Sequence, residues 1–166
     1  MKKIKIIFLA IISVLFLIGC TAKENFGLYG STHIHADFQV YILGKPLDFN
    51  SPKYQVMEDL THVERNDGEV IHIHATGITL GYFFKSLGFE LTDECFALDT
   101  GDKHCNLGKA TLKVYLKNKG TDWEQIYYPS DYVMRDLDKI LVTYGPEDNN
   151  QIKEQRATVT DKSRFE

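Results

Sequence analysis

Two copies of the pattern His-x-His are the residues of this sequence best suited to chemistry, HIH at 33–35 and HIH at 72–74. The chain has only six histidines among its 166 residues, from which chance predicts roughly 0.2 such pairs. Neutral imidazole nitrogens are common ligands of transition metals. The pattern therefore has two interpretations: a metal site, or polar side chains without function on two solvated strands.

Both pairs lie in segments with the two-residue alternation of a half-buried β-strand. The apolar row of the first segment, residues 32–43, consists of Ile34, Ala36, Phe38, Val40 and Ile42. In the second segment, residues 71–75, aliphatic residues again alternate with the histidines. Residues i and i+2 of a strand point to one face about 7 Å apart. Each pair is therefore predicted to share the face opposite its aliphatic row.

A predicted hairpin adds a fifth histidine to this region. The residues Asn66-Asp67-Gly68 separate two extended runs and contain the Asp-Gly turn signal. His62 is thus expected on the strand that pairs with the second His-x-His segment. A one-residue slip would turn His62 and Glu64 to the other face, and the sequence leaves this register open.

The candidate metal ligands are His33, His35, His62, His72 and His74. A histidine set without thiolate ligands favours one Zn(II) or Cu(II) ion over Cu(I). Asp37 and Glu64 are candidates to accept a hydrogen bond from the second N–H of a ligand histidine. His104, which precedes Cys105, is predicted to lie outside the site.

Three functions fit such a site. The first is a metal-binding module that captures, buffers or carries copper or zinc. The second is a zinc enzyme of the hydrolase or lyase type, in which three histidines leave an open position for an activated water and Glu64 or Asp37 acts as general base. The third is a small-ligand-binding lipoprotein with structural histidines. The sequence has neither a Gly-x-Ser-x-Gly motif nor a Gly-rich phosphate loop, so we favour binding over catalysis.

Residues 1–19 have the composition of a secretory signal peptide, with three lysines before an apolar run of 13 residues. A membrane-spanning helix needs about 20. The sequence LIGC at 17–20 resembles the lipobox of lipoprotein signal peptides, which implies cleavage before Cys20 and a lipid on its sulfur. The alternative is an ordinary signal peptide with an incidental cysteine. The expected product is extracytoplasmic and anchored to a membrane through Cys20, with a polar tether at 20–30.

Cleavage would remove three lysines and take the net charge from −4 to −7. A nucleic-acid-binding protein presents a basic patch, and the sequence has none, so no nucleic-acid partner is expected. The cleaved chain would keep Cys95 and Cys105. Outside the cytoplasm a pair this close predicts a structural disulfide, and metal ligation by the two thiolates with His104 is the alternative.

The residues after the tether predict one α+β domain at 31–145. Leu80, Phe83, Phe84 and Leu87 have helical spacing, with Thr79 and Gly88 as expected caps. Further strands are expected at 110–117, 123–128 and 138–145. One main helix packed on a mixed sheet of four to six strands is a β-grasp-like arrangement. Residues 146–166 are predicted to form a polar peripheral helix and a frayed tail.

Three motifs resemble those of an uncharacterised family of small extracytoplasmic proteins from archaea and bacteria. They are HIHADFQVYILGKPLDF, HIHATGITLGYFFKSLG and DLDKILVTYG, and they span roughly residues 31–145. The resemblance implies that the doubled His-x-His motif belongs to a type of domain. It implies no particular function.

Overall fold

A computed structural model describes residues 25–166 of the chain. The predicted signal peptide at 1–19, the predicted lipidation site Cys20 and residues 21–24 lie outside the described residues. No helix within the described range is long and apolar enough to cross a membrane.

Ten strands and two α-helices make up the described part of the chain, which confirms the α+β class. The strands are β1 (Ile34–Ile42), β2 (Lys45–Pro46), β3 (Thr61–Glu64), β4 (Asp67–Ile73), β5 (Glu90–Leu91), β6 (Cys95–Ala97), β7 (Lys103–Cys105), β8 (Thr111–Lys117), β9 (Glu124–Ile126) and β10 (Lys139–Gly145). The helices are α1 (Leu80–Ser86) and α2 (Asn149–Thr158). Short 3₁₀ helices lie at Pro52–Tyr54, Pro129–Asp131 and Lys162–Phe165.

Seven strands form one mixed sheet in the order β3-β4-β1-β10-β8-β9, with β2 paired to β1. The pairing of β1 with β10 is parallel, and the other pairings in this sheet are antiparallel. The mixed sheet was expected, but with four to six strands. The additional strand β2 is only two residues long and folds back on β1 through Leu43 and Gly44, which both have positive φ.

Helix α1 covers one face of the large sheet. Thr79 caps it by accepting a hydrogen bond from the Tyr82 N–H at 3.1 Å, and Gly88 follows it at a φ of 87°, as the caps predicted from the sequence require. The predicted apolar stripe is buried: Leu80, Phe83 and Phe84 are fully inaccessible. The aliphatic rows of β1 and β4 pack in the same core. Burial of these rows leaves the histidines of both strands on the opposite face.

The C-terminal segment packs on that opposite face. Ile152 of α2 and the following Val159 are buried with Tyr115 and Leu141 of the sheet. The expectation of a frayed tail is wrong, because the tail supplies four hydrogen-bond donors to the buried carboxylate of Asp37. A charged group without access to water needs such partners, and this requirement fixes the tail in place.

The hairpin between β3 and β4 is present, but its turn differs from the predicted one. Arg65 and Asn66 form the two-residue loop with φ of 57° and 58°, while Asp67 and Gly68 already belong to β4. Positive φ at both loop residues is the type I′ pattern, which matches the twist of the paired strands. Gly68 is instead required for close packing, since a Cβ there would lie 2.3 Å from the backbone of Phe49.

Strands β5, β6 and β7 form a second, smaller sheet. Cys95 and Cys105 are directly paired across β6 and β7, and their sulfurs are bonded. The predicted disulfide is therefore confirmed, and the thiolates are not free to hold a metal.

Candidate metal centre

The strand register aligns three histidines in one row across the sheet. His35 of β1 lies directly opposite His72 of β4, and His62 of β3 lies directly opposite His72 on its other side. Cross-strand partners on one face have their Cβ atoms about 4.5–5.5 Å apart. The register that the sequence left open thus places His62 with the other histidines.

All five predicted ligand residues meet in one group, which we call the histidine cluster. Their rings form a closed chain of contacts in which each ring touches two others. The centroid distances are 4.8 Å for His33–His35, 4.7 Å for His35–His72, 5.9 Å for His72–His62, 5.0 Å for His62–His74 and 4.8 Å for His74–His33.

Three members of the histidine cluster could hold a metal ion. One nitrogen from each of His33, His35 and His72 lies within 4.8 Å of the others. Two nitrogens bound to one tetrahedral zinc are roughly 3.4 Å apart, given bonds of about 2.1 Å. Small side-chain rotations would bring the three nitrogens to this spacing. His35 and His72 are buried and His33 is exposed. An ion held here would lie at the edge of the protein surface.

Burial favours the neutral form of three members of the histidine cluster. It lowers the pKa of His72 to about 4, although the carboxylate of Glu64 opposes this shift. Burial also lowers the pKa of His35, assisted by His33, and that of His74, assisted by His62 and His33. Since a histidine must be unprotonated to bind a metal, these three are ready to act as ligands at neutral pH.

The two candidate carboxylates have different surroundings. Glu64 lies against the histidine cluster, with one oxygen 3.5 Å from Nε2 of His62 and the other 3.8 Å from Nδ1 of His72. Asp37 is fully buried and accepts hydrogen bonds from the Thr160 hydroxyl at 2.6 Å and from the Lys162 N–H at 2.9 Å. Glu64 can therefore interact with a bound ion, whereas the carboxylate of Asp37 anchors the C-terminal segment.

Sequence reasoning missed the residues around the mouth of the site. An open cleft of about 590 Å³ lies beside His33 and His35, and its walls include Asp136 and Glu166. Asp136 accepts a hydrogen bond from the backbone N–H of His35 at 3.3 Å. Tyr29 packs on the ring of His74 at 5.5 Å. These residues come from distant parts of the chain and share no motif, so no sequence pattern signals them.

His104 lies in the smaller sheet, away from the five histidines. It belongs to β7, and its ring contacts Tyr144 at 5.2 Å. It offers a natural control for experiments on the histidine cluster.

Comparisons with protein-family models, with curated proteins and with solved structures find no match to this chain. The family resemblance of the three motifs therefore stays a prediction. The geometry of the site carries the evidence for its function.

Proposed function

We propose that this protein binds one transition-metal ion, Zn or Cu, at the histidine cluster and captures, buffers or carries it outside the cytoplasm. The observation that carries the proposal is the approach of His33, just before β1, to His35 of β1 and His72 of β4, with their ligand nitrogens within 4.8 Å of one another. Imidazole nitrogens suit both metals. His62 and His74 complete the proposed set of ligands.

The accessibility of the site supports the function of a metal carrier. His33 is exposed and borders an open cleft, while His72 is buried. An ion bound between them would have protein ligands on its inner side and an accessible outer side. A carrier needs such a side, because the ion has to enter and leave.

A second candidate function is a zinc hydrolase or lyase, which Glu64 favours. Its carboxylate lies within 4 Å of two histidine nitrogens, where it could take a proton from a zinc-bound water. Hydrolysis of an activated ester by the zinc-loaded protein, lost in Glu64→Gln while zinc stays bound, would support the enzyme over the carrier.

The proposed location follows from the N-terminal sequence. A lipid on Cys20 would anchor the domain to a membrane through the tether at 20–30, and the Cys95–Cys105 disulfide suits an oxidising compartment. A β-grasp-like relationship remains our proposal for the fold. Its support is the parallel pairing of β1 with β10 and the packing of α1 on one face.

The decisive experiment is metal titration of wild type and of the double variant His72→Ala, His74→Ala. We expect wild type to bind zinc or Cu(II) stoichiometrically at pH 7.5 and the double variant to bind none. The variant His104→Ala is the matched control and should bind as wild type does. Circular dichroism should show the same fold in all three proteins, because neither His72 nor His74 belongs to the aliphatic rows. Equal binding by the double variant, or none by wild type, would contradict the proposal.

A further inference from the structure

The carboxylate of Glu64 faces a ring nitrogen of His62 in the histidine cluster. Nδ1 of His62 is 2.7 Å from the carbonyl oxygen of Glu58. A carbonyl can only accept a hydrogen bond, so Nδ1 carries the hydrogen. In the neutral ring Nε2 then has a lone pair and no hydrogen. In that form the lone pair faces an oxygen of Glu64 at 3.5 Å, so a cation placed between the two atoms would be bound by both.

The distance between the two atoms suits a metal ion better than a shared proton. A proton shared between a histidinium nitrogen and a carboxylate brings the two atoms to about 2.7–2.9 Å. Two ligands of a tetrahedral zinc ion are roughly 3.4 Å apart, because each lies about 2.1 Å from the metal. The observed 3.5 Å between His62 and Glu64 matches the second geometry.

We propose that the histidine cluster has a second metal position, with Nε2 of His62, the carboxylate of Glu64 and the ring of His74 as ligands for a divalent transition-metal ion. We assign His74 as the third ligand, and its ring centroid lies 5.0 Å from that of His62. This inference rests on the proposed function and extends it from one ion to two neighbouring ions. The ligands of the first ion are His33, His35 and His72.

The number and charge of the ligands support two positions. Five histidines and one carboxylate exceed the four ligands that zinc usually takes, so a single ion would not use all six side chains. Glu64 also supplies a negative charge beside the second ion. Arg65 approaches the other carboxylate oxygen at 3.2 Å and would orient the carboxylate as a hydrogen-bond partner of a metal ligand does.

The test counts ions. The metal-free full chain is titrated with Zn²⁺, and bound zinc is counted by native mass spectrometry. Wild type is expected to bind two ions and Glu64→Gln one. The matched control is Glu69→Gln, a carboxylate of the same hairpin that binds Lys162 and Gln39 and should leave two ions bound. The variant His33→Ala should lose the other ion and retain the one at Glu64.

The outcomes separate this inference from the proposed function. Two ions in wild type and in Glu69→Gln, with one in Glu64→Gln, support the second position. One ion in wild type that Glu64→Gln retains overturns the second position and leaves the first intact. No bound ion in wild type overturns both. Circular dichroism of Glu64→Gln confirms that a lost ion does not reflect a lost fold.

Discussion

His72 is the residue that joins the two halves of the histidine cluster. It lies opposite His35 on one neighbouring strand and opposite His62 on the other. It is also buried, with 4% of its surface exposed. A ring in this position contributes to metal binding only as long as it stays unprotonated.

The lowered pKa of His72 predicts how the stability of the metal-free protein depends on pH. In the folded protein the pKa is about 4, whereas an unfolded histidine titrates near 6.5. Between these values the unfolded chain takes up a proton that the folded chain does not. The free energy of unfolding should therefore be highest above pH 6.5 and fall as the pH drops, by up to about 1.4 kcal/mol per pH unit from this residue.

Urea unfolding at pH 7.5 and pH 5, with a chelator present, measures this effect. His35 and His74 also have lowered pKa values and act in the same direction. The variant His72→Gln should lose part of the pH dependence between 7.5 and 5. An unchanged pH dependence in that variant would show that His72 titrates normally in the folded protein.

The hydrogen bonds of Asp37 predict how strongly the C-terminal segment is held to the large sheet. Its buried carboxylate accepts hydrogen bonds from Thr160, Lys162 and Ser163. Removing one partner of a buried charged network costs about 3–5 kcal/mol. Asp37→Ala should destabilise the protein by roughly this amount and expose the chain beyond Val159 to limited proteolysis. The exposed Asp122 serves as control, and Asp122→Ala should change neither stability nor cleavage.

At the scale of elements, the β3–β4 hairpin sets the positions of His62 and His72. Its second loop residue, Asn66, has a φ of 58°. Asparagine tolerates this region, while a β-branched residue there costs about 1–2 kcal/mol. Asn66→Val should lower the free energy of unfolding by about that amount and weaken metal binding. Asn66→Gly should preserve both, and urea unfolding with zinc titration checks the pair. Equal stability of the two variants would contradict the assigned turn.

Features recognisable over a few neighbouring residues were enough to predict several elements of the fold. The alternation in β1 and β4, the stripe and caps of α1 and the disulfide pair are all found in the structure. The turn at Arg65 was missed because arginine seldom adopts positive φ and Asp-Gly nearby is a stronger signal. Asp37 and Glu64 look equivalent in sequence, and only contacts with distant segments separate their roles.

At the scale of the whole molecule, the proposed attachment to a membrane depends on Cys20. We expect the mature protein to begin at Cys20 and to carry a lipid. Intact-mass analysis of the membrane fraction should show the loss of residues 1–19 and a lipid-sized addition. The variant Cys20→Ser should appear in the soluble fraction with its metal binding unchanged, because the histidine cluster lies in another part of the chain. A soluble wild-type product that retains residues upstream of Cys20 would rule out the anchor.

The position of β10 in the middle of the large sheet has a consequence for folding. β10 is the last strand in the chain, yet it lies between β1 and β8. Until β10 docks during folding, the chain presents two open edges, each with unpaired backbone groups that can join another chain. The strands of the histidine cluster precede β10 in the chain and can pair with one another before it docks. We therefore expect β1, β3 and β4 to form a folded unit before β10 pairs with β1. A chaperone that shields the edge of β1 during this interval should raise the yield of folded protein.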